Sequence, residues 1–125
     1  MKQLIVLALA TSLPVGAAQA APDGATLFKT RCGTCHFAPD LMPQQMRMGP
    51  SLRGVVGRKA GTLASFPRYS KAMKAYGQTW TAQRLDMYLT SPQQTVPGTI
   101  MGYAGLKAPA DRAALIAYLN KPGSR

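Results

Sequence analysis

The stretch Cys32-Gly33-Thr34-Cys35-His36 holds both cysteines and the only histidine of the 125-residue chain. Two thiols separated by two residues, with an imidazole directly after the second, form the attachment pattern of c-type haem. In that pattern the thiols bond to the edge of the porphyrin, and the histidine supplies the iron with its proximal nitrogen. The stretch therefore predicts one covalent haem c, attached through Cys32 and Cys35, with iron bound by His36.

Other uses of this cysteine stretch stay open at this point. A Cys-x-x-Cys pair also serves as a thiol–disulfide couple or as a structural disulfide. A zinc site is disfavoured because it needs four ligands, and two cysteines with one histidine leave it one short. Haem is favoured because both cysteines and the histidine lie within five residues, in the order and at the spacing that attachment requires.

The first twenty residues have the pattern of an export signal. Lys2 gives a positive start, an apolar run follows from Leu4 to Ala10, and Ala18-Gln19-Ala20 is a small-residue cleavage motif. The apolar run is shorter than the ~20 residues that span a membrane, and an uncleaved anchor is the weaker alternative. We expect residues 1–20 to be a cleaved signal peptide and residues 21–125 to form one periplasmic domain without stable membrane insertion.

The chain is strongly basic, with 15 lysines and arginines against four aspartates and a formal net charge of +11. Such a field speeds the encounter with acidic partners and weakens with salt. Nucleic acid is disfavoured as a partner because the basic residues are scattered without aromatic interleaving, and because export separates the chain from it. Attraction to anionic lipid headgroups stays open. The charge therefore indicates protein partners with acidic docking patches.

Capping residues and apolar spacing predict three to five short helices and no strands. The first helix begins at Gly24 after the cap Asp23, presents Cys32 and breaks at Ala38-Pro39. A second helix is expected from Lys71 to Tyr76, between Ser70 and Gly77. A third runs from the cap Thr81 to Pro92, with an apolar stripe of Leu85, Tyr88 and Leu89. A fourth runs from Pro109 to Lys121, with an apolar stripe of Leu115, Tyr118 and Leu119. The segments 37–48, 52–61 and 91–107 have the composition of loops. We expect an all-α domain whose long loops wrap a flat prosthetic group.

A methionine thioether is a suitable sixth ligand for haem iron, because soft sulfur paired with histidine raises the reduction potential. Met101 is favoured, since it lies far along the chain from His36 in a loop, Pro97-Gly98-Thr99-Ile100-Met101, that proline and glycine can shape tightly. Soft ligation leaves other candidates open. The remaining methionines are most simply packing or surface residues: Met42, Met46, Met48, Met73 and Met87.

The chain resembles a class I cytochrome c, of the mitochondrial and bacterial c2-like group, over nearly all of residues 21–125. The matching pieces are Gly24 and Phe28 before the cysteine stretch, Gly49-Pro50-Ser51-Leu52, Val56-Gly57-Arg58-Lys59-Ala60-Gly61, Phe66 with Tyr69-Ser70, Gly77-Gln78-Thr79-Trp80, Tyr88-Leu89, Pro97 to Met101 with Gly105-Leu106, and Leu115-Ile116-Ala117-Tyr118-Leu119. The resemblance implies the cytochrome c fold around one haem, with His36 and Met101 as the iron ligands.

The resemblance also implies roles for several further residues. Pro50 matches the proline whose carbonyl accepts the N–H of the proximal imidazole. The residues that match those holding the haem propionates are Arg58, Tyr69 and Trp80. The hydroxyls that match those near the methionine sulfur and the inner propionate are Tyr88 and Thr99. An aromatic lid is implied at Tyr103, and packing between the first and last helices is implied for Gly24, Phe28, Leu115 and Tyr118. Ordinary core packing is the alternative for Tyr69, Tyr88 and Tyr103.

Two positions depart from the pattern of that family. Met73 stands where the family often has an asparagine on the haem side, and Ile100 replaces the usual lysine before the ligand methionine. The loops from His36 to Gly49 and from Arg58 to Tyr69 are also slightly longer than usual. Because Ile100 replaces a lysine, the positive charge at the haem edge is lower than in the usual docking pattern of the family.

The resemblance implies a single-electron carrier and not an enzyme. Such a protein is a monomer that passes electrons between redox partners of a respiratory or dehydrogenase chain, such as an oxidase, a reductase or one dedicated periplasmic dehydrogenase. The alternative is a haem enzyme or small-ligand binder, for example a peroxidase or gas sensor, which requires a labile sixth position. A thiol–disulfide couple without haem is the third hypothesis.

Overall fold

The structure is a computed structural model that describes residues 9–16, 22–42 and 45–121. Five helices lie in these ranges: α1 (Gly24–Arg31), α2 (Lys71–Tyr76), α3 (Ala82–Thr90), α4 (Pro92–Thr95) and α5 (Pro109–Leu119). Within the same ranges no strand forms, and one isolated antiparallel bridge joins Lys59 to Thr79. The predicted all-α class is confirmed.

Three helices begin at the capping residues that the sequence predicts. The side chains of Asp23, Ser70 and Thr81 each accept a hydrogen bond from the N–H three residues ahead, over 2.8, 3.0 and 3.1 Å. Each bond satisfies an N–H that has no partner inside the helix. Gly77 ends α2 with a φ of 53°, a left-handed conformation that glycine adopts without strain. Local capping therefore sets where α1, α2 and α3 begin.

The end of α1 differs from the prediction. The helix ends at Arg31 instead of continuing to Ala38-Pro39. The N–H groups of Cys32 and Gly33 both bond to the carbonyl of Phe28, each over 2.8 Å, and this tightens the chain into turns. The N–H of His36 bonds back to the carbonyl of Cys32 over 3.0 Å, so the cysteine stretch still winds through one turn.

α4 lies inside the segment 91–107, for which the sequence predicts a loop. Pro92 occupies the first helical position, where its missing N–H costs nothing. The N–H of Val96 bonds to the carbonyl of Pro92 over 2.9 Å and closes the helix after four residues. A single turn is too short to show an apolar stripe, which is why periodicity does not reveal it.

The first and last helices pack against each other, and α5 also contacts α3. Gly24 lies at the crossing of α1 and α5, where a Cβ atom would overlap the carbonyl oxygen of Ala114 and the side chain of Tyr118. The ring of Phe28 lies 5.7 Å from that of Tyr118, and Leu115 is buried beside them. The predicted packing of these helices is confirmed.

An ion pair inside the domain joins α3 to α5. Arg112 is only 8% exposed, and its Nε donates to Oδ1 of Asp86 over 2.7 Å. Its Nη1 donates to the carbonyls of Leu106 and Lys107 over 3.0 and 2.9 Å. The guanidinium thus ties the segment before α5 to α3. The sequence does not single out Arg112, because the apolar stripe of α5 leaves it among the polar positions.

Part of the predicted leader falls outside the described residues. Residues 9–16 are exposed and form neither helix nor strand. The rest of the predicted signal peptide, including the cleavage motif at Ala18 to Ala20, lies outside the described ranges, as does Pro122-Gly123 after α5. None of the helices in those ranges combines the length and the apolar character needed to cross a membrane.

Candidate haem site

The described residues surround a largely apolar cavity of about 340 Å³. Its apolar lining comes from several segments: Leu52, Val55, Phe66, Leu85, Leu89, Leu115 and Leu119. Every predicted site residue also lines it: Cys32, Cys35, His36, Pro50, Arg58, Tyr69, Trp80, Tyr88, Thr99 and Met101. The fold therefore brings together, around one space, side chains that are far apart in the sequence.

The imidazole of His36 is oriented by a backbone carbonyl. Its Nδ1 lies 2.7 Å from the carbonyl oxygen of Pro50. A carbonyl only accepts, so Nδ1 carries the proton and Nε2 keeps its lone pair. Burial lowers the pKa of His36, the bond to Pro50 opposes this, and the charge of Arg58 adds to the lowering. The ring is therefore neutral at neutral pH, which is the form that binds a metal.

Gly49 leaves room for the imidazole. A Cβ atom at this position would overlap the ring of His36. The N–H of Gly49 bonds to the carbonyl of Cys35 over 2.8 Å, which folds the chain back over the histidine. Backbone on one side and the carbonyl of Pro50 on the other hold the ring in one orientation.

The two thiols line the cavity without being bonded to each other. Burial raises the pKa of the Cys32 thiol to about 11, and the neighbouring Cys35 adds to the shift. The nucleophile in thiol–disulfide exchange is the thiolate. A buried thiol with a raised pKa is poorly suited to that exchange, so the burial of Cys32 disfavours the hypothesis of a thiol–disulfide couple.

The loop that carries Met101 is held by hydrogen bonds to its neighbours. The hydroxyls of Thr99 and Tyr88 lie 2.8 Å apart and are buried. The N–H of Met101 donates to Oγ1 of Thr99 over 3.4 Å, and the side-chain amide of Gln93 donates to the carbonyl of Thr99 over 2.9 Å. Burial raises the pKa of the Tyr88 hydroxyl, and the bond to Thr99 opposes this. Gln93 lies in α4 and has no signal in the sequence that marks it for this contact.

Two further methionines share the cavity lining with Met101. They are Met48, which directly precedes Gly49-Pro50, and Met73 of α2. The other three candidates, Met42, Met46 and Met87, are exposed and do not line the cavity. The cavity thus offers three thioethers, and Met48 belongs to the segment that clamps His36.

Arg58 places a cation in the cavity lining. Its Nη1 and Nη2 donate to the carbonyls of Arg53 and Ser51, each over 3.0 Å. It is half-buried, and among the described residues it forms no ion pair with a carboxylate. Burial lowers the pKa of Arg58, and Tyr69 opposes this. A half-buried guanidinium of this kind suits an anionic group on a ligand.

Aromatic rings form the wall beside Arg58. Trp80 is buried, and its ring lies 5.4 Å from Tyr76 and 5.0 Å from Tyr88. The ring of Tyr69 lies 5.0 Å from that of Phe66, and burial raises the pKa of its hydroxyl while Arg58 opposes the shift. All of these rings except Tyr76 line the cavity, and buried Tyr and Trp need partners for their polar hydrogens. Tyr103 is half-buried in the lining, at the position implied for an aromatic lid.

The chemistry of these residues fits haem c. The lining supplies two thiols, a neutral imidazole and three thioethers. Apolar side chains between them match a porphyrin face, and the guanidinium of Arg58 matches a propionate. The overlap that a side chain at Gly49 would cause shows that the imidazole is fitted closely into its wall.

Comparison with known proteins agrees with this assignment. The family model for cytochrome c matches residues 21–121. The chain is 45% identical over 100 residues to a cytochrome c-type protein, cyt cy, of Rhodobacter capsulatus, covering 80% of this chain and 48% of that protein, or about half its length. It is 45% identical over 102 residues to cytochrome c of Theileria parva, covering 82% of this chain and 85% of that protein. The chain therefore belongs to the cytochrome c family, as its motifs predict, and binds haem c covalently.

Proposed function

We propose that the chain is a single-electron carrier, not an enzyme, whose one haem has His36 and Met101 as its two iron ligands. The observation that carries this proposal is that both side chains line the same cavity. When bound, the haem supplies a ferrous–ferric couple that takes up and releases one electron. With the imidazole of His36 and the thioether of Met101 both holding the iron, no position would be left for a substrate.

The His36 side of the cavity keeps the cofactor and fixes its orientation. Cys32 and Cys35 hold the porphyrin edge covalently. The carbonyl of Pro50 accepts the proton of Nδ1, which fixes the ring and makes the other nitrogen more basic. Gly49 allows the backbone to close over the ring. Little in this wall has room to move, and a small rearrangement between oxidation states favours fast electron transfer.

The Met101 side sets the environment of the second ligand. Thr99 accepts from the N–H of Met101 and bonds to the hydroxyl of Tyr88, so the loop is fixed to α3. Buried apolar side chains such as Leu85 and Leu89 exclude water from this side. A dry site disfavours additional positive charge at the iron, and together with sulfur ligation it raises the reduction potential.

Arg58, Tyr69 and Trp80 are proposed to receive the carboxylates of the haem. The guanidinium of Arg58 has two bonds to carbonyls and no carboxylate partner among the described residues. A charge-assisted bond to a carboxylate would offset the cost of burying this cation. The polar hydrogens of Tyr69 and Trp80 are suited to the same groups.

We infer that the protein works after export to the periplasm, as a monomer. The leader pattern of residues 1–20 and the bacterial relative support the export. The net charge of +11 supports transient encounters with redox partners that carry acidic patches, such as an oxidase, a reductase or a periplasmic dehydrogenase.

Spectroscopy and mass spectrometry of the haem-loaded protein test the carrier function. We expect one covalent haem, a reversible one-electron wave and, in the ferric state, the charge-transfer band of methionine–iron ligation. A high-spin, five-coordinate ferric spectrum would support the alternative, a haem enzyme or small-ligand binder. A mature chain without covalent haem would leave only the thiol–disulfide hypothesis.

Met101→Ala tests the assignment of the second ligand. The variant should keep its covalent haem, lose the charge-transfer band and show a lower reduction potential, because a thioether that favours the ferrous state is removed. Met73→Ala is the matched control, since Met73 also lines the cavity and should leave the band in place. An unchanged potential in Met101→Ala would identify another residue as the ligand.

A further inference from the structure

Four exposed residues line the cavity where it meets solvent, and we call them the mouth: Arg31, Met48, Ile100 and Gly102. Met48 is 76% exposed and Ile100 is 68% exposed. Two large apolar side chains on the rim of one cavity keep apolar surface in contact with water. Apolar surface of this kind beside a functional cavity marks a place where another molecule excludes the water.

One half of the mouth is basic. Arg31 is exposed in the last turn of α1. Nη1 of Arg47 donates to the carbonyl of Gly33, close to Arg31 in the chain, and Arg47 directly precedes Met48. Nη2 of Arg68 donates to the carbonyl of Arg47 over 2.7 Å. These contacts gather three arginines on the cysteine side of the cavity, and none of them pairs with a carboxylate in the described part of the chain.

The other half of the mouth is uncharged. Residues 87–106 contain no Asp, Glu, Lys, Arg or His, although the chain as a whole has a net charge of +11. This segment supplies Ile100 and Gly102 to the mouth. The two halves adjoin around one cavity, because Arg31 and Met48 line it together with Ile100 and Gly102. Basic and apolar surfaces thus lie side by side.

We propose that the redox partner docks on the mouth in one orientation, with acidic residues against Arg31, Arg47 and Arg68 and an uncharged apolar patch against Ile100. The proposal rests on the carrier function proposed above and specifies the surface chemistry of its partner. Opposite charges steer the approach and fix the orientation. Contact over Ile100 excludes water and sets the lifetime of the complex.

The same surface disfavours a partner that is acidic all round its contact patch. Carboxylates facing Ile100 and Gly102 would lose water without gaining a counter-charge, which costs free energy. The uncharged half therefore selects against such partners, in addition to attracting an apolar one.

Gold electrodes coated with alkanethiol monolayers test the proposal with defined chemistry. The three coatings are carboxylate-terminated, methyl-terminated and an equal mixture of both. Adsorption of the haem-loaded protein is measured with a quartz-crystal microbalance, and electron transfer by voltammetry. We expect the tightest adsorption and the fastest electron transfer on the mixture, because only the mixture offers a match to both halves of the mouth.

Two variants of the mouth separate its halves. Arg31→Gln should weaken adsorption to the mixture about threefold, as expected for the loss of one exposed charge pair. Ile100→Ser should weaken it about fivefold, because part of an apolar side chain is no longer buried, while the salt dependence stays the same. The charge-transfer band of the ferric protein confirms that Ile100→Ser leaves the neighbouring Met101 in place.

Each variant has a control away from the mouth. Lys29→Gln removes a charge from the same last turn of α1, at a residue outside the cavity lining. Met87→Ser removes a methionine that is 56% exposed on α3 and also outside the lining. Both controls should adsorb like the unmodified protein.

The outcomes separate the docking proposal from the carrier function. Equal losses in the mouth variants and their controls, or tightest adsorption on pure carboxylate, would overturn the docking proposal. A reversible wave in those same samples would leave the carrier function standing. The absence of a reversible wave on all three monolayers would overturn the carrier function and the docking proposal with it.

Discussion

The two walls of the haem cavity are built in different ways. On the wall of His36, the proposed iron ligand and the groups that orient it come from one short part of the chain, and a backbone carbonyl 2.7 Å away fixes the imidazole. On the wall of Met101, side chains from α3 and α4 hold the loop through bonds of Tyr88 and Gln93 to Thr99. The first wall depends on backbone and covalent attachment, and the second depends on hydrogen bonds between distant side chains.

Because the walls are built differently, we expect substitutions on them to have different effects. Changes on the His36 wall meet backbone that has little room to shift, so we expect them to affect whether the haem protein folds at all. Changes on the Met101 wall remove one side-chain hydrogen bond at a time, so we expect the protein to fold but to bind the iron through methionine less strongly.

Gly49→Ala is expected to have the largest effect, because it acts directly on the His36 wall. The added methyl would overlap the imidazole, and overpacking of this kind should lower the free energy of unfolding by about 3 kcal/mol. Denaturant titration of the haem protein measures it. Gly102→Ala is the matched change beside Met101, where nothing lies within 4 Å of the added carbon, and its effect should stay within about 0.5 kcal/mol. Equal losses of stability in Gly49→Ala and Gly102→Ala would contradict the proposed difference between the two walls.

Arg112→Met tests the far end of the Met101 loop. It removes the ion pair with Asp86 and leaves the carbonyls of Leu106 and Lys107 without their donor. We expect a loss of about 2 kcal/mol in the free energy of unfolding, with the methionine–iron band disappearing at lower denaturant than the folded helices. Arg84→Met is the control, since its guanidinium bonds only to the carbonyl of Thr79 at an exposed site. If the methionine–iron band and the helices of Arg112→Met are lost at the same denaturant concentration, the Met101 loop is as stable as the rest of the protein.

Tyr88→Phe and Thr99→Val test the contribution of one hydrogen bond on the Met101 wall. Each change leaves one buried hydroxyl without its partner, 2.8 Å away in the native protein, and should cost about 1 to 2 kcal/mol. The double variant should cost clearly less than the sum, with a coupling of about 1 kcal/mol. Denaturant titrations of all four proteins give the cycle. Additive losses would mean that the two hydroxyls do not support the loop jointly.

Asp23→Asn should have the smallest effect and concerns the helix that leads into the His36 wall. Hydrogen bonds from Thr26 lower the pKa of the Asp23 carboxyl below its ordinary value of 3.8. Because the folded pKa lies below the unfolded one, the carboxylate contributes stability above about pH 4 that is lost as pH falls through the lowered value. Asparagine keeps the cap without ionising, so stability measured from about pH 6 down to pH 3 should fall less steeply. A profile identical to that of the native protein would contradict the assignment.

Local determinants explain which parts of the fold are predictable from the sequence. A cap acts over three residues, so Asp23, Ser70 and Thr81 reveal where their helices begin. The cysteine stretch reveals the cofactor because its chemistry needs adjacent residues. α4 is a single turn and has no periodicity to reveal it. The end of α1 depends on two N–H groups that converge on the carbonyl of Phe28, and no side-chain pattern marks that turn.

Arg112 and Gln93 show why the rest of the structure escapes prediction. Both side chains donate to carbonyls, and a carbonyl carries no sequence signal because every residue has one. Only the folded chain brings Leu106 to Arg112 or Thr99 to Gln93. Met101 is favoured by its place in a loop far along the chain from His36, whereas the roles of Tyr88 and Thr99 beside it were accessible only through resemblance to a family.

The contact between Gly24 and α5 joins the beginning of the folded domain to its end. Synthesis runs from the N-terminus, so Cys32 and Cys35 are made well before residues 109–119 exist. Until then Phe28 lacks the ring of Tyr118, 5.7 Å away in the finished fold, and the helix ahead of the thiols lacks its main support. The last helix can therefore complete the support of α1 only on a chain that extends through α5, and the position of the thiols at the end of α1 becomes fixed late.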